Sequence, residues 1–346
     1  MNDIPTQKPI ELTSTPLLST SRLIKTNHVV HWISKAGIFL LVAILIAAGR
    51  TLSPDFLTPD NLMNMLLAVT LLGIVSVGVT FITYSGNYVD LSIPSMMALS
   101  GIVTVVAMPL GFVAALICGM FAGTALGAVN GIAVGYIRLN PIIWTLASGS
   151  ITDGLIRWGF GGNQVYPNEA TQAGSLMLGL YADRLPGGLP VIVAILIVLV
   201  LIGWFLMNRT SYGAKLRLVG SAYETARMSG INVRSVVALA FITSAVACSI
   251  GGILLTSLNK VGASYIGSGY DFSSITAVVI GGVTLNGGRG TVLGAVGGVI
   301  VIGLLRNIMT LMGVGAFGQV IVQGFIFIAA VGLNSYSLRR SGRDDS

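Results

Sequence analysis

A series of apolar stretches, each close to the length of a lipid-spanning helix and spread along most of the chain, restricts what it can fold into more than any other feature. Crossing a hydrocarbon layer of about 30 Å takes roughly 20 mostly apolar helical residues. Segments of this kind fall at 36–52, 61–83, 90–109, 111–136, 140–160, 189–207, 235–257, 271–286, 291–312 and 317–335. So many cannot share one water-bounded core, and lipid must solvate what they leave uncovered. Pro190 to Met207 is the clearest, with proline in its first turn and no charge through Val-Ile-Val-Ala-Ile-Leu-Ile-Val-Leu-Val. The sequence therefore predicts an all-α integral membrane protein of about ten transmembrane helices.

Composition agrees. Only 9% of the 346 residues are charged, against about 25% in soluble domains, and the mean hydropathy is +0.87. The 45 glycines suit helices whose backbones approach closely where no hydrophobic effect drives association. Cys118 and Cys248 lie inside apolar segments with no neighbouring Cys or His at metal-ligand spacing, so they read as packing residues and no metal site is expected. The net charge of +7 is scattered between apolar segments rather than gathered into an aromatic-laced patch, which argues against a nucleic-acid partner.

An even number of crossings puts both termini on one side, and the positive-inside rule makes that side cytoplasmic. Residues 1–35 read as a cytoplasmic tail, too polar before the first apolar run for a cleavable signal, 36–335 as the transmembrane domain, and 336–346 as a second basic tail. Fourteen of the 19 Lys and Arg residues fall on the cytoplasmic side; Arg50, Arg157, Arg184, Lys260 and Arg306 do not.

Gly123-Thr-Ala-Leu-Gly-Ala-Val-Asn-Gly131 returns as Gly290-Thr-Val-Leu-Gly-Ala-Val-Gly-Gly298, seven matches in nine positions. The preceding elements also begin alike, at Asp90-Leu-Ser-Ile and Asp271-Phe-Ser-Ser-Ile. Five crossings separate the copies, which predicts two inverted five-helix halves, a common transporter construction. The segments 90–109 and 271–286 are short, start at an acid and carry or adjoin Gly and Pro, so they are expected to be broken or re-entrant. Asp90 and Asp271 have two open readings: helix capping, or ion or solute contact together with Ser92 and Ser273.

The most polar internal stretch is 208–234. Ser221 and Glu224 have capping-box spacing and Gly230 is a stop signal, which predicts a helix of about two turns between them. Ala222, Ala226 and Met228 are small or apolar, while Glu224, Arg227 and Arg234 are charged. Such a segment either packs on the bundle, offers a knob to another protein, or is a solvated positive-inside loop.

Glu224-Thr-Ala-Arg-Met-Ser-Gly-Ile-Asn-Val233 resembles the A-A-R-L-S-G-I-N-V signature of the ribose/xylose/arabinose-type permeases of ATP-binding-cassette importers. Thr51-Leu-Ser-Pro-Asp-Phe-Leu-Thr-Pro-Asp-Asn-Leu62, Ser85-Gly-Asn-Tyr-Val-Asp-Leu-Ser92 and Gly269 to Gly290 are similar to further elements of that family, which extends the likeness over about 51–335. The chain departs from the family pattern with one extra residue before Asp90, with Pro94 in place of a usual Gly, and with Asp153-Gly154 in place of a common Arg-Gly.

The resemblance implies a bacterial inner-membrane permease subunit that passes a sugar or sugar-like solute. Its implied partners are a cytoplasmic ATPase, a periplasmic binding protein and a second permease subunit within the lipid. Ser221, Glu224, Ala226, Arg227, Gly230 and Asn232 would form the ATPase-coupling helix. Gly287, Gly288, Arg289 and Gly290 would allow a tight cytoplasmic turn. The sequence contains no Gly-x-x-x-x-Gly-Lys-Ser/Thr loop and no nucleophile–base–acid set, so the expectation is a transport subunit without an ATPase site, an enzymatic role or a cofactor of its own. A secondary transporter driven by an ion gradient is the alternative, since it too uses inverted repeats and interrupted helices.

Overall fold

The computed structural model describes residues 37–86 and 88–341, with side chains described as far as 332. The tail expected at 1–35 lies outside the described residues. Among the described residues thirteen α-helices follow one another: α1 (Gly37–Leu52), α2 (Pro59–Tyr84), α3 (Ile93–Ala107), α4 (Phe112–Ile132), α5 (Pro141–Gly159), α6 (Gln172–Ala182), α7 (Val191–Arg209), α8 (Ser211–Ser221), α9 (Tyr223–Met228), α10 (Val233–Asn259), α11 (Tyr270–Ile280), α12 (Val292–Leu311) and α13 (Ala316–Ser341). Among the described residues there are no strands, only two isolated bridges.

Each of the ten apolar segments is at least partly helical, and six helices are long and apolar enough to cross a membrane: α2, α3 with its 3₁₀ extension to Leu110, α4 with its π turn to Ile137, α7, α10 and α12. The protein is thus a multi-pass helical membrane protein. α1, α11 and the apolar part of α13 are shorter. The α5 helix spans 19 residues but carries Asp153, Arg157 and several hydroxyls.

α10 is the hub. Its 27 residues make a rod about 40 Å long, against which α2, α3 and α4 all pack. Small residues set the spacing: a methyl group on Gly127 of α4 would lie 2.1 Å from Ala245 Cβ, and one on Gly252 of α10 would lie 2.2 Å from Met97 O. These backbones meet only because no side chain separates them.

The repeated nonapeptides both serve as packing faces but sit differently in their helices. Gly123, Gly127 and Gly131 fall in the second half of α4 against α10, whereas Gly290 precedes α12 and Gly294 and Gly298 press on Gly281 and Ala277. The shared four-residue spacing seats a neighbouring helix in each case without giving the copies the same place in their helices.

Of the two elements expected to be broken, the first is helical over nearly all of its length and the second over little more than half. The first becomes helical only at Ile93, beyond Asp90, with Ser92 at the cap position. The second is helical only from Tyr270 to Ile280, short of the expected 286, because the chain turns through Gly281 and then Gly282 at φ +83°. Before α11 the chain doubles back along α3: a methyl on Gly262 would touch Ile102 Cα at 3.2 Å, and one on Gly267 would lie 2.6 Å from Pro94 O.

Candidate functional site

Three polar assemblies stand out in the apolar bundle. The first surrounds Asp90, which is 2% exposed. Its Oδ1 accepts from Ser92 N at 2.8 Å and Ser92 Oγ at 2.6 Å. Asn130 of α4 donates to Ser92 Oγ at 2.8 Å and accepts from Trp144 Nε1 of α5 at 3.0 Å, while Thr145 Oγ1 accepts from Leu91 N at 3.0 Å. Asp90 Oδ2 has no hydrogen-bond partner among the described residues. The carboxylate tethers its own turn, and through Ser92 and Asn130 joins it to α4 and α5.

The second joins α11, α12 and α13. Arg306 donates from Nη2 to Ser273 Oγ and Gln323 Oε1, each at 2.7 Å, and Gln323 Nε2 donates to Ser273 Oγ at 2.6 Å. Asp271 is half-buried in the first turn of α11. Ser92 and Ser273 therefore belong to separate networks, each tied to different helices. Sequence reasoning missed Asn130, Trp144 and Gln323; Arg306 carried a signal, as a cation inside an apolar segment.

The third is a cavity of ≈ 240 Å³ lined by the start of α3, the α5 helix and the 264–268 segment. A second cavity of ≈ 180 Å³ shares Arg157, Ser264 and Tyr265 with it. Asp153 and Arg157, one helical turn apart, form an ion pair at 2.8 Å on its α5 wall. None of Asp90, Ser92, Asp271 and Ser273 is among the cavity-lining residues.

The end of α10 that begins at Val233 carries a different arrangement. Ser221 does not cap α9: it is the last residue of α8, and Ala222, with non-helical backbone, takes the cap position with no side-chain bond. The expected capping box is absent because α8 keeps its helical bonds one residue further, Ala222 N donating to Leu218 O at 2.9 Å. Gly230 ends α9 as expected, at φ +76°, with Ile231 N donating to Ala226 O at 3.1 Å. Asn232 then caps α10 by accepting from Ser235 N at 3.3 Å.

Only Ala226 of α9 is buried; Met228 is 80% exposed, and Glu224 and Arg227 are exposed and 3.9 Å apart. Just before α9 three segments of backbone meet, at Tyr84, Gly220 and Gly288. Gly288 N donates to Tyr84 O at 2.9 Å, and a methyl on Gly220 would lie 2.1 Å from that oxygen. Arg217 Nε donates to the Tyr84 hydroxyl at 3.0 Å. Gly287 and Gly288 have φ of +82° and +70°, and Gly290 has +125°, the left-handed backbone that only glycine adopts freely. Arg289 closes this turn by accepting at its carbonyl from Thr284 N at 3.1 Å.

Comparison with known proteins matches residues 61–331 to the family described as branched-chain amino acid transport system, permease component. The chain is 30% identical over 302 residues to the ribose import permease protein of Escherichia coli, covering 87% of this chain and 93% of that one. It is 32% identical over 312 residues to the D-allose transport system permease protein of the same organism, covering 89% and 93%. To the L-arabinose transporter permease protein of Azospirillum brasilense it is 32% identical over 316 residues, 90% of each chain. No solved structure matches the chain.

Proposed function

Because this chain belongs to the permease-component family of the branched-chain amino acid transport systems, we propose that it is the membrane-spanning subunit of an ATP-binding-cassette importer for a sugar or sugar-like solute. The sugar reading rests on relatives that are ribose, allose and arabinose permeases. A periplasmic binding protein delivers the solute, and a cytoplasmic ATPase drives two permease subunits in the bacterial inner membrane between outward and inward openings.

The observation that carries this reading is α9 itself. It is a six-residue helix anchored by one buried alanine, with Met228, Glu224 and Arg227 exposed. The backbone junction of Tyr84, Gly220 and Gly288 lies immediately before it. A force on α9 would reach α2 directly, and α11 and α12 through their connecting turn. Glu224 and Arg227 supply polar contacts to the ATPase, Met228 an apolar one, and Ser221, Gly230 and Asn232 define where the handle begins and ends. The glycine turn of Gly287, Gly288, Arg289 and Gly290 is the fixed side of this joint. In this reading Asp90 and Ser92 hold the first interrupted element, and Asp271 and Ser273 begin the second.

Uptake into proteoliposomes containing the permease, its ATPase and its binding protein tests the proposal. ATP and binding protein should both be required, and Glu224→Ala or Gly230→Val should leave ATP hydrolysis running while uptake falls. Uptake driven by an ion gradient alone would replace this reading with a secondary transporter.

A further inference from the structure

The cavity beside α5 has features that ordinary helix packing does not require. Asp153 and Arg157 are 35% and 58% exposed, on a helix whose other exposed residues include Ile151, Leu155 and Trp158. Charged side chains are costly to expose to hydrocarbon, and Arg157 stands in the last turn of α5, so this stripe favours water over lipid. The opposite wall is non-helical: Ser264, Tyr265 and Ser268 come from the segment that doubles back along α3. Irregular backbone at membrane depth is stable only where protein buries it or it lines a water-filled space. Two independent features, one on each wall, thus favour a hydrated chamber.

The chamber's chemistry is specific. The ion pair neutralises itself through Arg157 Nε and Asp153 Oδ2. Asp153 Oδ1 and the two terminal nitrogens of Arg157 have no other hydrogen-bond partner among the described residues. One carboxylate acceptor therefore stands beside guanidinium donors, the pattern that adjacent hydroxyls of a polyol satisfy at once. Ser95, Ser150 and Ser268 add hydroxyls, and Tyr265, 55% exposed, offers a ring face. At ≈ 240 Å³ the space is smaller than the roughly 300–1,000 Å³ of pockets that take drug-sized ligands. It suits one small polar solute.

We propose that this chamber is a solute subsite belonging to the permease itself, built to hold one neutral monosaccharide against the Asp153–Arg157 pair. The inference rests on the importer reading and adds to it: the permease discriminates among solutes rather than only passing what the binding protein delivers. A carboxylated or phosphorylated sugar brings a net charge that the self-neutralised pair does not balance, and a zwitterionic amino acid must strip water from two charges where a neutral polyol strips it from none.

Equilibrium binding of radiolabelled D-ribose, D-allose, L-arabinose and L-leucine to the full chain in lipid nanodiscs, with no binding protein present, tests the subsite. At least one of the sugars should bind saturably, and L-leucine should not. Asp153→Asn with Arg157→Gln should weaken that sugar by roughly tenfold, equivalent to about 1.4 kcal/mol. The charge exchange Asp153→Arg with Arg157→Asp should recover most of the loss, which also shows that the pair acts through its chemistry rather than through folding. Absence of sugar binding, binding of L-leucine in its place, or unchanged affinity in the doubly neutral variant would each overturn the subsite. ATP-dependent uptake by the assembled importer is scored separately, so a failed subsite with intact ATP-driven uptake leaves the importer reading standing.

Discussion

At the scale of single residues, the bundle depends on a few buried polar groups whose partners come from distant parts of the chain. Asn130 joins Ser92 and Trp144 within apolar surroundings. Asn130→Leu orphans the Trp144 indole N–H, at roughly 1–3 kcal/mol for a group left unpaired, and removes the donor to Ser92 Oγ. Thermal unfolding in detergent should show a clear fall in Tm for Asn130→Leu. Asp90 behaves differently, because both of its bonds use Oδ1 and Oδ2 has no partner among the described residues. Asp90→Asn keeps an acceptor for Ser92 and should unfold close to the parent, whereas Asp90→Ala should lose stability comparable to Asn130→Leu. Equal losses in Asp90→Asn and Asp90→Ala would mean that the charge itself is needed.

Among the elements, the junction before α9 is the place where geometry and mechanism meet. Gly220 leaves no space for a methyl group, since its Cβ would lie 2.1 Å from Tyr84 O and 2.5 Å from Gly288 N. Gly220→Ala must push the end of α8 away from the turn at Gly288, an overpacking cost of about 1–3 kcal/mol. The expected result is reduced ATP-driven uptake with α9 still able to dock on the ATPase. Gly230 has open space around its Cα but a φ of +76°. Gly230→Ala therefore pays a conformational penalty of about 1–2 kcal/mol without a clash, and should impair coupling less than Gly220→Ala. If both variants transport at the parental rate, the junction does not transmit force.

For the whole molecule, α9 and the loops beyond the far end of α10 should lie on opposite sides of the membrane. The 27 residues of α10 separate them. After Cys118→Ser, a membrane-impermeant thiol reagent should label Tyr166→Cys on intact spheroplasts and Met228→Cys only once the membrane is opened. Both positions are exposed, at 65% and 80%, and Cys248 is buried. Labelling of Met228→Cys from outside would reverse the orientation and remove the handle from the ATPase.

Apolar run length, and the glycines and prolines that punctuate it, already specified the helical class and the approximate position of each segment. These are local properties: whether twenty residues prefer lipid to water depends on their own side chains. The same holds for the stop at Gly230, where a left-handed residue is required within one turn. Ser221 shows where local reading ends, because its capping potential yielded to the continuation of α8. Tertiary structure alone decided that Asp90 would meet Asn130, that Ser273 would meet Arg306, and that Asp153 and Arg157 would face a cavity shared with the returning segment at 264–268. Those outcomes depend on which helices lie side by side, and van der Waals packing of small residues sets that adjacency by summing many weak contacts over the whole bundle, with no single motif to announce it.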